Sequence, residues 1–262
     1  MKLRLAFLLF SAGIFLALPA KADLASTIAK VKPSVVIVGT FKSTNSPRFG
    51  LRGTGFVVGD AKAGASNLVI TNAHVLQHPG EQDMEAAVAV QLRVGQNEWQ
   101  MRNAAVVEVD RIHDLALLRF EGPAAPALSV RDSGSVLEGQ SVAFMGFPIG
   151  GALGFSPVTH RGTISAITVA ALPTASSQQL NGQAIRSLRG EGAFDVFQLD
   201  ATAYPGNSGG PMFDPDTGDV LGVLNMVFIK GSRESALTNP SGISYAIPSG
   251  YMLQLMQRAK AK

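Results

Sequence analysis

The stretch "YPGNSGGPMF", Tyr204 to Phe213, sets a serine between an asparagine and a pair of glycines, directly ahead of an apolar run. An alcohol attacks a carbonyl at neutral pH only when a neighbouring base takes its proton. That base must itself be held in one tautomer by a third group. Ser208 as a nucleophile therefore requires a histidine and an acid elsewhere in the chain. The glycines serve the same chemistry: Gly206 permits a backbone that aims its N–H at the point served by the Ser208 N–H, where an oxyanion develops in acyl transfer. Asn, Ser and Gly are also ordinary turn formers, so a plain turn between two strands fits this segment as well.

The chain has four histidines, His74, His78, His113 and His160. His74, in "VITNAHVL", sits where a strand runs into a short turn and is the best placed of them at the rim of a barrel. His74 and His78 stand at i, i+4, a zinc-ligand spacing. The residue after His74 is Val75, however, not the glutamate of a zinc peptidase, and Pro79 stops a helix, so His78 reads as a loop residue and no metal is expected. The acid candidate is Asp114 in "RIHDLALLRF", whose carboxylate leads into a buried strand and needs a hydrogen-bonding partner there. Asp110 is the rival, placed at the end of "AAVVEV" and expected to turn to solvent. His113 should face away from Asp114, since neighbours in an extended segment point to opposite faces.

Short strands must carry these groups. Val35 to Phe41, Gly55 to Val58, Leu68 to Thr71, Ala87 to Leu92, Met101 to Val109 and Leu115 to Phe120 are rich in Val, Ile and Leu and separated by turn residues. After "EGPAAPA", a connector over 121–127, comes a second series. It comprises Ser141 to Phe147, Thr163 to Ala170, Val196 to Ala201, Gly209 to Phe213, Val220 to Ile229 and Gly242 to Ile247. Two six-strand groups predict an all-β chain with two β-barrels, about 31–120 and about 128–248. A short helix is expected in "DLASTIAKVKPSV", ending before Pro33. A C-terminal helix is expected over 249–262, capped by Ser249, with Met252, Leu255 and Met256 on one face. Two long polar loops, Leu172 to Ala193 and Lys230 to Gly242, flank the strands nearest Ser208.

Residues 1–22 pair a charged tip, Lys2 and Arg4, with the apolar segment Leu5 to Leu18 and a small-residue "PAKA" ending, the pattern of a cleaved signal peptide. The segment is shorter than the roughly 20 residues a spanning helix needs. No stable membrane insertion is expected once it is removed. Its removal takes Lys2, Arg4 and Lys21 and no acid, so the formal charge of +3 falls to zero, and the sequence pI of 9.3 does not argue for nucleic acid. No cysteine is present. The remaining chain, 23–262, must be stabilised by its own apolar core in an exported, periplasmic or secreted setting.

With His74, Asp114 and Ser208 in that order, the sequence resembles the chymotrypsin-fold serine proteases, and among them the bacterial HtrA-type (Deg) protease domain. The resemblance runs through "VKPSVVIV", "GTGFVV", "TNAHVL", "DLALL", "LEGQSVAFMGFPIG", "GTISAI", "FQLDATAYPGNSGGPMF" and "GISYAIPS". It implies two six-stranded antiparallel barrels. It also implies His74 as general base, Asp114 as its orienting carboxylate, Ser208 as nucleophile, and an oxyanion hole from the backbone N–H groups of Gly206, Ser208 and Asn207. Asn207 stands where digestive members of the fold carry an aspartate, so activation by a freed N-terminus is not expected. The base of the specificity pocket falls on Thr202. With no carboxylate there, an apolar or small P1 side chain is implied, with walls near Leu224, Asn225 and Met226 and the strand around Tyr245.

HtrA members usually carry PDZ domains after the protease, whereas this sequence stops at Lys262, so PDZ sensing is not expected. Protein or peptide substrates are implied, no cofactor is called for, and a homo-oligomer is compatible with the family although its N-terminal contacts are not recognisable here. A second functional class is a protease-fold binding or chaperone module with a misaligned hole. An esterase of the α/β-hydrolase type is disfavoured, because there the serine precedes the acid and the histidine.

Overall fold

The computed structural model describes residues 23–59, 64–76, 87–95, 98–148, 155–170, 193–225 and 242–261. The signal-like segment 1–22, His78, Met226 and most of both long loops, 172–192 and 226–241, lie outside these residues.

Fourteen strands and two α-helices are found among the described residues. The first barrel closes from β1 (Val35–Phe41), β2 (Phe49–Val58), β4 (Leu68–Asn72), β5 (Ala87–Arg93), β6 (Trp99–Asp110) and β7 (Leu115–Phe120), in the order β1-β2-β4-β7-β6-β5. The second closes from β9 (Ser141–Gly146), β10 (Val158–Ala170), β11 (Phe194–Asp200), β12 (Pro211–Phe213), β13 (Val220–Asn225) and β14 (Ile243–Pro248), in the order β10-β11-β14-β13-β12-β9. All pairings within both barrels are antiparallel, as the two groups of short Val- and Ile-rich runs predict. The connector is not featureless: β8 (Ala125–Pro126) pairs with β3 (Ala65–Ser66), tying it to the first barrel. β2 begins at Phe49, well before Gly55, because the polar-looking "FGLR" still finds ladder partners in Gly39 to Phe41.

Period-2 alternation explains how β1 serves two cores. Val36 and Val38 fill the interior of the first barrel with Val57, Val69, Val90, Leu118 and Phe120. Val35 and Ile37 point the other way, into a core between the barrels that also takes Phe56, Phe147, Phe213, Val223 and Ile247. A third cluster, Phe144, Ile164, Phe197, Leu199 and Leu224 among others, fills the second barrel. Helix α1 (Leu24–Val31) runs into a 3-10 turn, Lys32–Ser34, that absorbs Pro33.

Helix α2 (Ser249–Lys260) buries Met252 and Leu255 against the inter-barrel core, with Met256 partly covered. Ser249 does not cap it. Its hydroxyl donates instead to the carbonyl of Arg131 at 2.6 Å, so the residue tethers the helix to the segment between β8 and β9. No helix among the described residues is long and apolar enough to cross a membrane.

Candidate active site

Asp114 lies in the turn between β6 and β7 with a φ of 51°, a left-handed conformation that Asp tolerates better than most residues. Its carbonyl accepts from the Ala73 N–H and from Asn72 Nδ2, each at 3.1 Å, so the end of β4 fixes this turn. The Asp114 carboxylate then takes three donors: the His74 N–H at 2.8 Å on Oδ1, and His74 Nδ1 at 2.6 Å and Asn225 Nδ2 at 2.7 Å on Oδ2. A carboxylate only accepts, so Nδ1 carries the imidazole proton and Nε2 is left as the acceptor. His74 itself sits on the 3-10 turn Ala73–Leu76 that follows β4.

Two consecutive turns meet at Asn207, and Ser208 lies in the second. In the first, the Asn207 N–H donates to the Tyr204 carbonyl at 3.0 Å, with Pro205 and then Gly206 at φ 104° in the middle, the pattern of a type II turn. In the second, the Gly210 N–H donates to the Asn207 carbonyl at 3.0 Å, with Ser208 and Gly209 at φ 83° between. A side chain at Gly209 would also collide with the Thr54 carbonyl and the Thr71 hydroxyl, so backbone from the second barrel lies directly on β2 and β4 of the first. Among the described residues the N–H groups of Gly206 and Ser208 donate to nothing.

Asn207 differs from its expected part. Its N–H closes the first turn and is not free to serve an oxyanion. Its side-chain amide is fully buried, with neither polar atom hydrogen-bonded.

The expected pocket residues divide. Thr202 is half-buried in the segment leading to Tyr204. Leu224 is fully buried in the core of the second barrel, and the Asn225 amide is bonded to Asp114, so neither side chain walls a pocket as the sequence suggested. Strand alternation across two barrels decides this, and position relative to Ser208 alone does not reveal it.

Asp110 is also corrected. It is buried, at 8 % exposure, and its carboxylate accepts from the N–H groups of Ile112 and His113, from His113 Nδ1 at 2.9 Å and from Arg258 of α2 at 2.6 Å. Burial pushes its pKa up, but these bonds from His113 and Arg258 outweigh that and hold it below the ordinary carboxylate range. His113 is stacked on Tyr251 at 4.0 Å and edge-on to Phe194, so it locks α2 to both barrels. His160 is stacked on Phe144, with Nε2 buried and unpartnered, and burial lowers its pKa. No group of three or more metal-ligating side chains is gathered among the described residues.

Sequence reading did not single out Thr54, although it lies in the quoted "GTGFVV". Its N–H donates to the Ser208 carbonyl at 2.8 Å and its hydroxyl to the Gly206 carbonyl at 2.6 Å. A hydroxyl residue between two glycines, Gly53 and Gly55, was the available signal.

Two closed antiparallel six-stranded barrels, with His74 and Asp114 on one and Ser208 on the other, form the chymotrypsin-like architecture of HtrA proteins. The chain belongs to the trypsin-like peptidase domain family, which matches residues 53–223. It is 29% identical over 238 residues to mouse (Mus musculus) "Serine protease HTRA4", covering 89% of this chain and 40% of that relative. It is 27% identical over 209 residues to a "Probable periplasmic serine endoprotease DegP-like" of Marinomonas sp. (strain MWYL1), covering 80% of this chain and 35% of the other. Among solved structures, "HtrA-type protease AlgW with tripeptide" superposes with a TM-score of 0.61 at 26% identity, covering 90% of this chain and 62% of that one. The chain thus spans about two fifths of the length of the first curated relatives it matches.

Proposed function

We propose that this chain is an exported serine endopeptidase that hydrolyses peptide bonds of protein substrates through an acyl-enzyme. Ser208 Oγ attacks the scissile carbonyl carbon while His74 Nε2 takes its proton, and Asp114 holds the imidazole and balances the imidazolium that forms. The carbonyl oxygen, now an oxyanion, is bound by the N–H groups of Gly206 and Ser208. Collapse breaks the peptide C–N bond as His74 returns the proton to the leaving amine, and water then repeats the sequence to free the acid.

The observation that carries this reading is the His74 Nδ1 to Asp114 bond of 2.6 Å, on the barrel whose β2 and β4 contact the Ser208 turn. Thr202, uncharged, supports an apolar or small P1 side chain. Export, periplasmic or secreted, is supported by the charged and apolar pattern of residues 1–22 and by the named periplasmic relative.

The test is labelling with a fluorophosphonate and digestion of an unfolded protein. Both occur with wild type and are lost with Ser208→Ala. A folded wild type that binds unfolded chains yet neither labels nor digests them overturns the reading in favour of a binding or chaperone module.

A further inference from the structure

We propose that Thr54, on the first barrel, is the positioning residue that holds the oxyanion turn of the second barrel in its working form. The inference rests on the reading of Ser208 as nucleophile and goes beyond it, to what keeps the hole open.

The four peptide planes from Pro205 to Gly209 alternate. In the Gly206–Asn207 plane the N–H is held by the Tyr204 carbonyl and the C=O by the Thr54 hydroxyl, at 3.0 and 2.6 Å. In the Ser208–Gly209 plane the N–H is held by the Leu224 carbonyl at 2.9 Å and the C=O by the Thr54 N–H at 2.8 Å. These two planes are pinned at both ends. The planes between and before them, Asn207–Ser208 and Pro205–Gly206, carry the two N–H groups left undonated among the described residues. The Asn207–Ser208 plane is also held at its carbonyl, by the Gly210 N–H at 3.0 Å, so the Gly206 N–H is the one whose direction depends most on the neighbouring fixed plane, and Thr54 supplies the carbonyl-side bond of that plane.

The hydroxyl is itself locked. Thr54 is fully buried, and its Oγ1 accepts from the Phe147 N–H at 3.0 Å, so its single proton is directed to the Gly206 carbonyl. Its own carbonyl accepts from the Thr71 hydroxyl at 2.7 Å, on the strand that leads to His74. One residue thus connects the His74 strand, the segment after β9 and the Ser208 turn. A valine has the same shape but no hydroxyl: it frees the Gly206 carbonyl to rotate and removes the acceptor of the Phe147 N–H, a loss the melting curve registers, while leaving the main-chain bond to Ser208 intact.

The experiment compares wild type, Thr54→Val and Thr54→Ser for thermal stability, fluorophosphonate labelling rate, and kcat and KM on a peptide substrate. Loss of one oxyanion donor costs about a hundredfold to a thousandfold in rate. A loosened donor is expected to cost about tenfold to a hundredfold in kcat and labelling in Thr54→Val, with KM within about twofold. Thr54→Ser, which keeps the hydroxyl, stays within about threefold of wild type in kcat, a rescue that a space-filling role would not give. Unchanged kcat in Thr54→Val, or a Thr54→Ser as slow as the valine variant, overturns the proposal. Should Thr54→Val not fold, Thr54→Cys decides with its weak S–H donor: kcat at least fivefold below Thr54→Ser supports the proposal, and equality overturns it. A wild type that does not label defeats the nucleophile reading and this proposal with it, whereas a labelled wild type with an unaffected valine variant defeats only this proposal.

Discussion

Asn225 Nδ2 donates to Asp114 Oδ2 at 2.7 Å, the same oxygen that accepts from His74 Nδ1 at 2.6 Å. A residue at the end of a second-barrel strand thereby holds the carboxylate that the first barrel presents. A hydrogen bond to a charged group contributes about 1.5–3 kcal/mol, and each 1.36 kcal/mol off a barrier is tenfold in rate. Asn225→Ala is therefore expected to lower kcat/KM by about tenfold to a hundredfold without unfolding the barrels. Steady-state kinetics alongside a melting curve check this, and an unchanged kcat/KM would refute the role.

Asp114→Asn should be far more damaging. An amide in place of the carboxylate can donate to Nδ1 and so stabilise the wrong imidazole tautomer. The expected fall in kcat is about four orders of magnitude, the size of effect known for this substitution in a Ser-His-Asp triad. The readout is peptide hydrolysis by a variant whose circular dichroism matches wild type.

Gly146 tests how closely the second barrel's backbone must approach the Ser208 turn. A Cβ there would lie 2.7 Å from Asn207 Oδ1 and 3.0 Å from both Asn207 Cα and Thr54 Oγ1. The Asn207 backbone cannot yield cheaply. Gly146→Ala is expected to reduce fluorophosphonate labelling by at least about tenfold, with stability lowered by the roughly 1–3 kcal/mol typical of overpacking. Normal labelling would mean that the turn tolerates displacement.

Asp110 gives an acid-side stability prediction. Its folded pKa lies below the unfolded value of about 3.9, so its contribution is present above that value and is lost as pH falls through the folded pKa. Asp110→Asn should remove this part of the acid transition and cost about 1–3 kcal/mol at neutral pH through lost bonds to His113 and Arg258. Urea melts at neutral pH and near pH 3 measure both effects. Equal losses at the two pH values would argue against the linkage.

His160 acts at higher pH. Burial lowers its folded pKa below the unfolded value of about 6.5. Between those values the unfolded chain takes up a proton that the folded chain does not, so stability falls as pH drops below about 6.5. His160→Phe, stacked on Phe144 in the same way, should flatten the melting temperature across that interval. A slope equal to wild type would place the acid sensitivity elsewhere.

Much of this protein is decided within short stretches of sequence. Alternating Val and Ile between Gly, Pro and polar turns determines a strand, and twelve such runs in two groups determine two barrels. Asn-Ser-Gly-Gly determines a tight turn around Ser208, since Gly209 takes a positive φ there. Local pattern is silent on what approaches from the other barrel. That Asp110 bonds Arg258, that Asn225 faces Asp114, and that Thr54 reaches the carbonyls of Gly206 and Ser208 were settled only when the two barrels and the C-terminal helix met. The physical reason is separation along the chain. Hydrogen-bond partners 111 to 152 residues apart leave no periodicity for a sequence to show.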